Sequence, residues 1–164
     1  MSRAYRVLAI DPGKLTGVAL LERDGDAVKI IWTDEINVFE DPGGKLRLRG
    51  VIDGWSTRQK LDAPLRVVIE KFVITPETGK KSQEATAALE TIGAVKLMCV
   101  DASYPLDAIM WQKPSEAKET FPNPKLKRLG LWHRGGAGHA LDALRHAAVY
   151  LVRVGWRDSR MFVD

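Results

Sequence analysis

Residues Arg66 to Glu70 read Arg-Val-Val-Ile-Glu, a β-branched run with no polar residue in its interior. A strand of this kind has no face suited to water, so it belongs at the centre of a sheet covered on both sides. The other strands arrange themselves around that demand. Tyr5–Ile10 reads as a buried strand closed by the turn Asp11-Pro12-Gly13, and Thr16–Leu21 and Ala27–Thr33 read as two more. Asp24-Gly25-Asp26 between the last two is a hairpin signal, so the first three strands are predicted antiparallel and sequential. A basic amphipathic helix is predicted over Gly44–Leu61, with Leu48, Val51, Ile52 and Trp55 on one face and Lys45, Arg47, Arg49 and Arg58 on the other. Ser82 is placed to cap a helix reaching about Val100. Leu106–Trp111 reads as a fifth strand, and Pro114-Ser115 opens a short helix broken at Asn123-Pro124. Gly135-Gly136-Ala137-Gly138 reads as a flexible stretch ahead of a final helix from about His139 to Val152. The order β-β-β-α-β-α-β-α predicts an α/β fold: one five-stranded mixed sheet with helices on both faces, in a single domain spanning 1–164.

A chain of 164 residues can bury a core without disulfides or a structural metal. The lone cysteine, Cys99, ends an apolar helical pattern, which excludes a disulfide framework and points to a reducing compartment. No run approaches the roughly 18 apolar residues of a membrane span, and the N-terminus lacks a secretory pattern. The expectation is a cytoplasmic protein with no membrane partner. Net charge is +4, and its distribution matters more than its size. Lys113, Lys118, Lys125, Lys127, Arg128 and Arg134 stand against only Glu116 and Glu119, so one segment holds the whole excess. Such a segment is either a phosphate-contacting surface or a solvated lysine-rich loop, and charge alone does not separate the two.

Three places combine burial with ionisable groups. Asp11 ends an apolar strand and precedes Thr16-Gly17, which opens the next. Asp-Pro-Gly is also plain turn chemistry, and Asp41-Pro42-Gly43 repeats it without either flank. Glu70 ends the central strand, where an unpaired carboxylate is costly, so either a bound metal or a distant Arg or Lys answers it, or Glu70 already lies beyond the buried part of the strand. On the last helix His139, Asp142 and His146 share one face at i, i+3 and i+7, as a ligand set or as a surface ladder. The sequence has no phosphate-binding glycine loop, no paired-cysteine zinc pattern and no nucleophile elbow. Carboxylates forced together repel unless a divalent cation lies among them, and oxygen ligands favour Mg²⁺ or Mn²⁺ over zinc.

Together these residues resemble the RuvC-like Holliday junction resolvases of the RNase H-like superfamily, with a layout similar to resolvases carried by bacteriophages. The resemblance rests on LAIDPGKLTGVALL at 8–21, VVIEKF at 67–72 and GHALDALRHA at 138–147, with a looser match at QKPSEAK, 112–118. It implies an RNase H-like fold and a metal site formed by Asp11, Glu70, His139 and Asp142. His139 is a departure, since many members carry Asp there. It also implies Mg²⁺, with Mn²⁺ substituting, and two-metal hydrolysis of a phosphodiester in branched DNA. Lys118 would sit near the scissile phosphate, and Phe72 would approach bases. Lys113, Lys125, Lys127, Arg128 and Arg134, with the Gly44–Leu61 helix, would hold the DNA arms through backbone contacts. A two-fold homodimer is implied as well. Other readings stay open: another nuclease of the superfamily acting on RNA–DNA hybrids or ribosomal RNA precursors, or a branched-DNA binding protein without catalysis. An actin-like ATPase would need a duplicated domain and a second phosphate loop, for which the chain is too short.

Overall fold

The computed structural model describes residues 4–58, 64–74, 76, 82–132 and 138–162. Strands β1 (Tyr5–Asp11), β2 (Thr16–Asp24) and β3 (Ala27–Ile36) are followed by α1 (Pro42–Arg58) and β4 (Leu65–Glu70). Then come α2 (Ser82–Asp101), β5 (Met110–Gln112), α3 (Pro114–Thr120), α4 (Asn123–Arg128) and α5 (His139–Arg153). The five strands form one sheet in the order β3-β2-β1-β4-β5. The first three pair antiparallel, while β4 is parallel to both β1 and β5. The predicted α/β architecture is therefore present, with β4 in the interior of the sheet.

Side-chain alternation divides the sheet into two faces, each with its own core. Val7, Ala9, Ala19, Leu21 and Val68 pack with α3, α4 and α5 through Ala117, Phe121, Leu126, Leu144 and Ala148. Leu8, Ile10, Val18, Val67 and Ile69 pack on the other side with Leu48 and Ile52 of α1 and Val95, Met98 and Cys99 of α2. Val67, Val68 and Ile69 are fully buried, as their composition demanded. Cys99 is fully buried in this second core, as the packing reading expected, and burial pushes its thiol up to about 11.

Two local expectations are corrected. The fifth strand is only Met110–Gln112, because Leu106–Ala108 forms a 3₁₀ turn and Ile109 turns the chain into the sheet edge. Asn123-Pro124 does not simply end a helix but starts α4, since proline in a first turn lacks only an N–H the helix has no use for. The expectations placed on His133, Arg134 and residues 135–137, and on the side chains of Trp55 and Arg58, lie outside the described residues. Among the described residues no helix is long and apolar enough to cross a membrane.

Candidate metal centre

The same alternation positions the acidic residues. Ile10 pairs with Ile69 in the parallel β1–β4 ladder, so Asp11 and Glu70 stand side by side at the carboxyl ends of adjacent strands. Counting back through Ala9 and Val68, both side chains fall on the α5 face. The carboxyl end of a parallel pair is where α/β sheets commonly hold ligands.

Close approach of α5 completes the arrangement. Gly17, opposite Asp11 in the β1–β2 ladder, lies beneath the backbone of His139, and a Cβ there would fall on the His139 carbonyl. The helix starts after Gly138, whose φ of 99° suits glycine and which offers no side chain as a cap. Glu35 of β3 substitutes for that cap: one carboxylate oxygen accepts from the N–H groups of Gly138 at 2.8 Å and Ala140 at 3.2 Å. It satisfies donors that would otherwise be orphaned and places negative charge at the positive end of the helix. The sequence offered no local signal for Glu35, because its partners lie more than 100 residues away.

Thus seated, α5 delivers His139, Asp142 and His146 onto the two strand ends. His139 Nδ1 lies 2.9 Å from Asp11 Oδ2. His146 is fully buried, with Nε2 2.7 Å from Glu70 Oε2 and Nδ1 2.8 Å from Gln112 Oε1. Asp142 is paired with Lys118 at 3.1 Å and with Arg145, which also reaches Asn123 and donates to the Phe121 carbonyl at 3.1 Å. The surface-ladder reading of α5 is therefore wrong for His146. Glu70 is answered by that histidine rather than by a distant Arg or Lys.

The electrostatics follow. Burial, reinforced by the negative charge of Glu70 and Asp142, pushes the Asp11 carboxyl from 3.8 up to about 6, against the opposing pull of His139. Carboxylates from β1, β4 and α5 thus share one field, in the way that calls for a cation. The donor set, three carboxylates and an imidazole, suits a hard divalent ion. Among the described residues no three such groups already surround a single point. Instead each carboxylate is engaged by a protein partner, namely His139, His146, or Lys118 with Arg145.

The basic residues separate into two populations. Arg47 of α1 pairs with Asp34 at 2.9 Å, and Arg49 pairs with Asp53 and Asp101 at 3.4 and 3.2 Å. α1 also packs on the face of the sheet opposite α5. Two of its cations, Arg47 and Arg49, are thus held by acids of this chain. Lys113, between β5 and α3, and Lys125, Lys127 and Arg128 of α4 have no ion-pair partner among the described residues. The Lys125 ammonium stands 4.9 Å from the Phe121 ring and that of Lys127 4.7 Å from the Trp132 ring. Phe72 follows Glu70 by two residues and is half-buried.

No protein-family model matches this chain, and no curated protein matches it in sequence. Solved structures do match. Thermus thermophilus RuvC superposes with a TM-score of 0.63 at 18% identity, over 92% of this chain and 97% of that one. The same organism's RuvC in complex with a Holliday junction substrate gives 0.62 at 17% identity, over 93% and 98%. The fold is that of RuvC. Within this RuvC fold, Asp11, Glu70, His139 and Asp142 meet at one rim of the sheet, where β1, β4 and the start of α5 come together.

Proposed function

We propose that this chain is a metal-dependent, structure-specific endodeoxyribonuclease that cleaves four-way junctions and related branched DNA. One observation carries the reading: Asp11 and Glu70 end adjacent parallel strands on the face that α5 covers, and α5 brings His139 to 2.9 Å from Asp11, with Asp142 one turn further on, so acids from three elements gather at one rim of the sheet. The RuvC fold across nine-tenths of the chain supports a junction as the substrate, since the Thermus thermophilus protein is held with one.

Asp11, Glu70, Asp142 and His139 would hold Mg²⁺ or Mn²⁺, and when bound the ions would supply an activated water and stabilise the leaving 3′ oxygen. The chain's own residues set the surroundings. His139 orients Asp11 through Nδ1, and its other ring nitrogen remains available to ligate or to carry a proton. Lys118, exposed at the rim and 3.1 Å from Asp142, stands where a scissile phosphate would gain an added positive charge. Lys113, Lys125, Lys127 and Arg128 grip the backbone of the DNA arms without reading bases, and Phe72 approaches the bases at the branch.

A two-fold dimer would present two such sites to opposite strands. An exposed apolar stripe on α2, made of Leu89, Leu97 and Val100, supports a self-association face.

The test is cleavage of a synthetic four-way DNA junction with Mg²⁺, Mn²⁺ or EDTA, beside flaps, forks, plain duplex and an RNA–DNA hybrid. Paired symmetric nicks that require metal are expected. Preferred cutting of the hybrid would reassign the chain to another RNase H-like activity, and tight junction binding without cleavage under any metal would leave a binding protein. Lys127→Ala is expected to lower the salt dependence of junction affinity by about one unit of log–log slope.

A further inference from the structure

We propose that His146 and Gln112 form a buried positioning relay for Glu70, so that the metal centre of this chain extends two residues beyond its four motif positions. The inference rests on the metal-site reading given above and deepens it. His146 sits on α5 one turn beyond Asp142, with none of its surface exposed, and Gln112 is almost as buried. Around it α5 is built of alanine and aliphatic residues, including Ala143, Leu144, Ala147 and Ala148. An imidazole in that setting carries a desolvation cost that only hydrogen bonds at both ring nitrogens offset. It has both. Nε2 meets Glu70 at 2.7 Å and Nδ1 meets the Gln112 side chain at 2.8 Å.

The sheet fixes the far end of the relay. Gln112 is the register partner of Glu70 in the β4–β5 ladder, and the Lys71 N–H donates to the Gln112 carbonyl at 2.6 Å, so the two side chains leave one face of neighbouring strands. The Gln112 amide nitrogen is buried and has no partner among the described residues. Turning that nitrogen toward Nδ1 satisfies it and lets the Nε2 N–H donate to Glu70. One oxygen of the Glu70 carboxylate is then held and the other is left for a cation. A histidine–carboxylate contact behind a ligand is the arrangement by which outer partners orient metal-binding groups.

Mn²⁺ titrated calorimetrically into the full chain tests this, with the thermal midpoint in EDTA and junction binding in EDTA as controls. His146→Leu preserves an apolar side chain of similar bulk, and Gln112→Leu cuts the relay at its far end without touching α5. Both are expected to weaken Mn²⁺ binding by about 10- to 100-fold with junction affinity in EDTA near wild type. Gln112→Leu, which leaves Nδ1 buried without a partner, is also expected to lower the EDTA midpoint by several degrees, so the titrations are run well below both midpoints. In a Glu70→Gln background His146→Leu is expected to add no further loss, since the relay acts only through that carboxylate. Variants that bind Mn²⁺ as wild type does would overturn the relay. If His146→Leu does not fold, Gln112→Leu alone decides. Wild-type chain that binds no Mn²⁺ would instead overturn the metal-site reading beneath, a result distinguishable from the first.

Discussion

The chain uses Asp-Pro-Gly twice, and the two copies do opposite work. Asp41 is a cap: its side-chain oxygen accepts from the Gly44 N–H at 2.9 Å and its carbonyl from the Lys45 N–H at 3.0 Å, with Pro42 opening α1. Both contacts are local, within four residues. Asp11 leaves that local work to others. The Gly13 carbonyl of its turn is held by the Thr16 hydroxyl at 2.9 Å and by the buried Thr91 hydroxyl at 3.2 Å, from β2 and α2. Freed from the turn, the Asp11 carboxylate faces His139, 128 residues away, in the field of Glu70 and Asp142. The same tripeptide stabilises one end of the molecule and stores electrostatic cost at the other, and what differs is the strand and helix around it.

The largest effect expected from breaking that contrast is at Asp11. Asp11→Asn keeps the shape but removes the charge, and junction cleavage is expected to fall by more than about 10³-fold with junction binding retained. Retained cleavage in single-turnover assays would remove Asp11 from the site. Gly17→Ala comes next. Its Cβ cannot coexist with the His139 carbonyl, so α5 must lift from the sheet, at a cost of about 3 kcal/mol in urea unfolding and with loss of cleavage.

The pH dependence of the metal-free protein sharpens the comparison further. A folded pKa of about 6 against an ordinary 3.8 means the folded state holds this proton more tightly. The contribution is fully present below about pH 3.8 and is lost as pH rises through 6, a difference on the order of 3 kcal/mol. In EDTA, Asp11→Asn should therefore be more stable than wild type at about pH 7.5, with the gap closing as the pH falls toward about 4. Equal thermal midpoints across that range would show that the charge carries no strain. The smallest effect is at the other copy. Asp41→Ala should cost about 1 kcal/mol and Asp41→Asn almost nothing, since asparagine caps equally well, and neither should alter cleavage.

Asp11 and Glu70 were legible because a carboxylate ending an apolar strand is a short-range pattern, carried by immediate chain neighbours. That His139 and Asp142 share one helix face was legible from their spacing, but spacing left a ligand set and a surface ladder both open. His146 had the same spacing, but its role was not legible, since nothing in α5 states that Glu70 and Gln112 would lie across from it. Glu35 was invisible for the same reason. The ion pairs of Arg47 and Arg49 were not legible either, because Asp34 and Asp101, which engage them, come from β3 and the end of α2.

The sequence by itself determined the elements, their order and which residues alternate inward, because periodicities of 2 and 3.6 are properties of neighbouring residues. It thereby placed Asp11 and Glu70 at strand ends. Only the tertiary structure decided which groups face one another. The parallel β1–β4 register, the glycine gap at Gly17 and the Glu35 cap set α5 over the strand ends, and ion pairing depends on distances that closure of the fold alone establishes.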